Sequence, residues 1–171
     1  GRCVLGLGAS GPQVIEGWHG VTYDAPIGRT REIVDICRQV WAREDRLTHD
    51  GRYYHLPLPE GQGTGLGKPL KIIAHPVRPR IPIWVASLGP KNVAMTAEIA
   101  DGWLPLYYSP FRQDVYAEHL AGAKPGFEVT AMANINITDD IEAGLYPVKA
   151  ALGFYIGGMG AKGRNFHTDL M

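Results

Sequence analysis

Residues Ile81 to Leu106 constrain the fold more than any other stretch, because they spell a complete strand, turn, helix and strand with the turn chemistry intact. Ile81 to Ala86 is a continuous apolar run, as a strand covered on both faces requires. Ser87, Leu88, Gly89 and Pro90 end it, and Pro90 suits the first turn of a helix, where a missing N–H costs nothing. A helix over Lys91 to Ala100 places Val93, Ala94, Ala97 and Ala100 at helical spacing, small enough to lie close against a sheet. Gly102 stops it, and Trp103 to Leu106 reads as the next strand. A strand, a short helix and a second apolar strand make the ordinary parallel crossover.

Before that unit, Cys3 to Leu7 reads as a short strand running into Gly6, Leu7, Gly8, Ala9, Ser10 and Gly11. By letters this satisfies the G-x-G-x-x-G dinucleotide fingerprint. The context argues against it: Gly17 and Gly20 leave room for a single short turn between Pro12 and Glu16, and Asp24 sits in a loop-like stretch rather than at the end of a second strand. A plain glycine-rich strand-end loop is the simpler reading. Arg29 to Glu44 is the clearest helix, with Thr30 as its N-cap and Ile33, Ile36, Cys37, Val40 and Trp41 as its apolar stripe. Residues 47–74 read as an insertion: Leu47 to Thr48 pairs with Tyr53 to Leu56 around Asp50 and Gly51, a glycine-rich connection follows, and Leu70 to Ala74 is extended.

After Leu106 the pattern gives a helix over Gln113 to Ala121, a strand over Phe127 to Ile137, and a helix over Ile141 to Leu152 that follows Asp139 and Asp140 and contains Gly144 and Pro147. Strands near 3, 82, 103 and 129, most followed by helices, predict a parallel sheet covered by helices. Four strands do not close an eight-stranded barrel of about 250 residues. A barrel reading of these 171 residues therefore expects strands beyond both ends, in keeping with a chain that opens on Gly1 and enters a strand almost at once.

Charge narrows the function classes. Lys plus Arg equals Asp plus Glu at 17 each, so no global field draws the chain to nucleic acid or to an acidic membrane surface. No apolar run reaches the length of a membrane span. Two cysteines, Cys3 and Cys37, suit buried thiols in a reducing, cytoplasmic setting better than a disulfide framework. Six scattered histidines give no metal-ligand spacing, so no metal is expected.

The runs Gly51-Arg-Tyr-Tyr-His-Leu, Lys68-Pro, Pro82-Ile-Trp-Val-Ala-Ser-Leu-Gly-Pro and Ala97-Glu-Ile-Ala-Asp-Gly-Trp together resemble the luciferase-like monooxygenase superfamily, and most of all its coenzyme F420-dependent oxidoreductases. The resemblance implies a (β/α)8 TIM barrel of which residues 1–171 supply the central part, about strands four to seven, as one incomplete domain. It implies F420, or alternatively FMN, at the C-terminal ends of the strands. Gly8, Ala9, Ser10 and Gly11 match the cofactor-contacting turn after strand four, and Ala86, Ser87, Leu88 and Gly89 match the turn after strand five. Small residues let a backbone approach a flat ring or a phosphate, and their N–H groups supply donors. Lys162 and Arg164 could meet phosphate or an acidic cofactor tail, and Trp18 and His19 are the substrate-side candidates. The expected activity is hydride transfer between F420 and a small organic substrate, in a full-length protein expected to be a homodimer. The alternatives are an FMNH2-dependent monooxygenase, a barrel relative that has lost its cofactor and, more distantly, a Rossmann dehydrogenase. In the F420 enzymes of this superfamily several ring contacts lie on earlier strands, so no catalytic proton donor is nominated.

Overall fold

The computed structural model describes residues 2–157. In chain order its elements are β1 (Leu5–Gly8), α1 (Pro12–Trp18), α2 (Pro26–Ala42), β2 (His49–Asp50), β3 (His55–Leu56), β4 (Ile83–Ala86), α3 (Pro90–Ile99), β5 (Gly102–Trp103), a 3-10 turn (Pro110–Arg112), α4 (Asp114–Leu120), β6 (Glu128–Val129) and α5 (Ile141–Gly157). Strands β1, β4, β5 and β6 lie side by side in that order, every pair parallel. The α/β class and the parallel sheet expected from the sequence are what the structure shows. Gly8 is in register with Ala86, and Val85 with Trp103, so the strands end along one common edge.

Alternation along the strands sorts the two faces of the sheet. Leu5, Leu7, Ile83 and Val85 point to the helical side, where they pack with Val34, Cys37 and Trp41 of α2 and with Ile99, Ala100 and Phe127. Ile83, Val85 and Val34 are 0 %, 2 % and 1 % exposed, and burying each such side chain contributes about 1.5–3 kcal/mol. Gly6, Gly8 and Ala86 lie exposed on the opposite face, with Trp84 half-buried among them. Helix α3 seals the helical side with buried Val93, Met95, Thr96 and Ala97; of the expected small-residue face Val93, Ala97 and Ala100 are buried and Ala94 is only partly covered, while Met95 and Thr96 add to it.

At the N-terminal edge, Asp101 ties the sheet to α2. Its Oδ2 accepts the Ile83 N–H at 3.0 Å and lies 3.5 Å from Arg38 Nη2, while Oδ1 pairs with Arg80. Burial alone would raise this carboxyl, but the Ile83 amide and the two guanidinium groups outweigh it and hold the acid below its ordinary range.

Several sequence expectations shift in the structure. Helix α2 begins at Pro26, which takes the first helical position, so Thr30 lies inside the helix and Ala25 is the residue before it. Within α2 the fully buried residue is Val34, outside the expected stripe; Ile33, Ile36 and Val40 are only partly covered. The hairpin pairs His49 with Leu56 and Asp50 with His55, one step beyond the expected Leu47–Thr48 arm. Leu47 instead makes a single antiparallel bridge to Leu70, and 71–74 form no strand. The strand expected over 127–137 pairs only at Glu128 and Val129; beyond them Met132, Ile135 and Ile137 are exposed. Helix α5 runs five residues past Leu152 despite Gly144 and Pro147, and Asp140 Oδ1 receives the Ala143 N–H at 3.0 Å at its start.

Candidate functional site

The register puts two turns of small residues next to each other at the C-terminal edge of the sheet. After β1 the chain runs Gly8, Ala9, Ser10, Gly11 and enters α1; after β4 it runs Ala86, Ser87, Leu88, Gly89 and enters α3. A Cβ built on Gly8 would stand 3.5 Å from the Ala86 Cβ, so the two residues form one shallow shelf with no side chain rising above a methyl. Gly89 has φ 77°, a geometry that favours glycine. Its carbonyl accepts the N–H groups of Asn92 and Val93 at 3.1 and 3.0 Å, which starts α3 at the rim. Pro90 has no N–H and the Asn92 N–H is spent on Gly89, so what this corner offers an anion or an electron-rich ring edge is the turn amides of Leu88 and Gly89 at the positive end of α3.

Ser87 is held differently from its neighbours. It is 2 % exposed, its Oγ lies 2.8 Å from Thr96 Oγ1, and its carbonyl accepts the Trp103 indole N–H at 3.0 Å. Its side chain therefore fixes the turn from within and does not face the rim, where Ala86, Leu88 and Gly89 remain accessible. Ser10 is the reverse case: exposed, with φ 56° in the left-handed region.

Helix α1 corrects the sequence reading, which allowed at most a short turn up to Glu16. It spans seven residues because Pro12 presets the first turn and Gly11, at φ −133°, gives the extended entry. Trp18 ends it at 84 % exposure, and His19 follows, also exposed. Both sit at the far end of the helix that leaves the rim, with no partner that orients them toward the shelf among the described residues. Asp24 stays in a loop, gripped by Arg29 at 3.0 Å, and so does not take the ribose-binding role of the dinucleotide fingerprint. Lys162 and Arg164 lie outside the described residues. Among the described residues no group of three His, Cys, Asp or Glu side chains could hold a metal, and no helix is long and apolar enough to cross a membrane.

Sequence reasoning missed Glu32, which lies off the apolar stripe of its helix. Its carboxylate accepts N–H groups from Arg52, Tyr53 and Tyr54 at 2.9 to 3.2 Å and lies 3.2 Å from His49 Nε2, so it pins the hairpin onto α2. Burial would raise this carboxyl, but the His49 and amide hydrogen bonds hold it below the ordinary range. The sign follows: stability from Glu32 and Asp101 is complete above the usual carboxylate range, near pH 4, and is lost as pH falls through their lower folded-state values. Glu32→Gln is expected to melt below the parent at neutral pH and to lose less on further acidification, as thermal melts from pH 7 to pH 3 would record. Parallel curves would contradict this role.

A family profile described as luciferase-like monooxygenase matches residues 1–168. The chain belongs to that family. Within it, a Mycobacterium tuberculosis protein provisionally named a coenzyme F420-dependent oxidoreductase is 52 % identical over 179 residues, covering 99 % of this chain and 52 % of that protein. A 5,10-methylenetetrahydromethanopterin reductase of Archaeoglobus fulgidus is 31 % identical over 166 residues, covering 92 % and 45 %. This luciferase-like chain thus spans about half the length of the curated relatives it matches. Two solved structures share its fold. One is an F420-dependent secondary alcohol dehydrogenase in complex with an F420-acetone adduct, with TM-score 0.73 at 16 % identity over 93 % of this chain and 48 % of that one. The other is the coenzyme F420-dependent tetrahydromethanopterin reductase of Methanopyrus kandleri, with TM-score 0.70 at 20 % identity over 92 % and 48 %.

Proposed function

We propose that this chain is part of an F420-dependent oxidoreductase of the luciferase-like family, that its parallel sheet forms about the fourth to seventh strands of a (β/α)8 barrel, and that its rim holds the cofactor. The observation that carries the reading is the Gly8–Ala86 register, which joins two small-residue turns into one shelf at the edge where barrel enzymes place their sites. The identity to the M. tuberculosis protein and the names of the other relatives support F420 over other redox cofactors.

The residues present fit such a group. Gly8 and Ala86 leave the sheet face open to a flat ring, and Trp84, two residues below Ala86 on the same face, gives that shelf an apolar floor. Leu88 and Gly89 offer backbone donors, and the start of α3 favours the anionic part of the cofactor. Ser87, Thr96 and Trp103 keep the turn fixed, so the donors do not reorganise when the ligand arrives. Bound F420 supplies the hydride chemistry; the protein supplies binding, orientation and exclusion of water. Lys162 and Arg164 are assigned to the cofactor's charged tail; Trp18 and His19 stand at the far end of α1, so their substrate-side assignment is to an outer part of the site and not to the shelf itself.

Titration of the purified protein with F420 and with FMN, together with an oxygen electrode, tests this. The expected result is stoichiometric F420 binding and hydride exchange with a small organic substrate without oxygen uptake. Preferential FMN binding with oxygen consumption would replace the reading by monooxygenation, and binding of neither cofactor would leave a barrel relative without redox function.

A further inference from the structure

We infer that Tyr23 is a positioning residue that holds Ser10 in its left-handed conformation and so sets the glycine-loop corner of the rim for its ligand. This rests on the reading of that rim as the cofactor site.

Helix α1 has no fully buried residue, and Pro12, Val14 and Ile15 are only partly covered, so packing alone holds the loop that precedes it weakly. Tyr23 engages both ends of the loop and helix. Its phenol O–H donates to the Ser10 carbonyl at 3.3 Å, just before α1, and its own N–H donates to Glu16 Oε1 at 3.1 Å, in the last turn of α1. Among the described residues Ser10 is one of four non-glycine residues with positive φ, and the position of one of them, Arg43, is explained by the C-terminal cap of α2. A non-glycine residue on a rim loop in that region persists only when its surroundings hold it there. Tyr23 is half-buried, and burial raises its phenol above the ordinary value, so the hydroxyl keeps its proton throughout the neutral range.

Tyr23 is itself anchored. The next residue, Asp24, is gripped by Arg29 through both carboxylate oxygens, at 3.0 and 3.2 Å, and through its carbonyl at 3.2 Å. The Arg29 guanidinium lies 5.2 and 5.6 Å from the ring centres of Tyr53 and Tyr54 in the hairpin that Glu32 fixes. The insertion therefore braces the rim from outside: the hairpin steadies Arg29, Arg29 steadies the 23–25 segment, and Tyr23 passes that constraint to Ser10.

Tyr23→Phe removes the hydroxyl and keeps the ring. Loss of one hydrogen bond predicts about two- to tenfold weaker F420 binding, with Tm within about 2 °C of the parent and kcat at saturating cofactor unchanged. Amide exchange at Ala9 and Ser10 should accelerate while that at Asn92 and Val93 does not. Glycine reaches the left-handed region without strain, so adding Ser10→Gly should restore most of the lost affinity, a rescue that a merely structural brace would not give. Unchanged affinity in Tyr23→Phe, or a large fall in Tm with no rescue by Ser10→Gly, overturns the inference. If the parent protein binds no F420, the cofactor reading fails on its own; exchange at Ala9 and Ser10 then decides, with acceleration in Tyr23→Phe upholding the role of Tyr23 and no change overturning it.

Discussion

Trp103→Ala is expected to destabilise the protein by about 3–5 kcal/mol, a large share of the 5–15 kcal/mol typical of a folded domain. Trp103 is 1 % exposed, and its ring meets Tyr116 edge-on with centroids 4.8 Å apart and Tyr108 at 6.2 Å. Alanine would leave a cavity between β5 and α4 and would strip the Ser87 carbonyl of its indole donor. The cost therefore combines lost burial with a buried acceptor left unpaired. Urea denaturation measures it, and Trp103→Phe separates the parts, because the ring volume is largely kept while the hydrogen bond is lost. A loss under about 1 kcal/mol for the alanine variant, far below the range for emptying a core aromatic site, would mean that Trp103 does not support the turn.

Gly102→Ala should also be costly, for a steric reason. A Cβ there would lie 2.6 Å from Trp84 Cδ1 and 2.8 Å from the Glu128 carbonyl oxygen, which belong to the strands on either side. One obstacle is backbone, so the methyl must push β6 from β5 or displace Trp84 from the open face. We expect about 1–3 kcal/mol of destabilisation, toward the upper end. Gly122→Ala is the matched control, since its Cβ would meet only Glu98 Cγ at 3.9 Å. Equal urea midpoints for the two variants would contradict the packing of the sheet.

The elements best read from sequence are those whose signals are local. Pro90 after a small-residue turn, and the Ala-rich spacing up to Ala100, place α3 to within a residue because each signal acts within one turn of chain. Pro26 carries the same first-turn signal for α2, and a reading that starts the helix at Arg29 with Thr30 as its cap leaves that signal unused. Gly17 and Gly20 concealed α1, although a Cβ at Gly17 would meet nothing within 4 Å, so that glycine lies on an open helix surface. The two turns of the rim were legible as small residues, but their adjacency depends on which strands pair, and β1 finds its partner more than seventy residues along the chain. The Glu32 carboxylate was not legible at all, because its amide donors lie about 20 residues away in a hairpin whose register shifted by a step. Trp18 and His19 were chosen for closeness in sequence to the glycine loop, and α1 carries them away from it.

Hydrogen exchange of the protein with and without saturating F420 tests the central claim most directly. The account predicts protection confined to the amides of residues 8–11 and 87–89 and the first turn of α3, with the hairpin at 49–56 unaffected. Protection centred on the hairpin or on the N-terminal edge around Asp101, with none at the two turns, would contradict it.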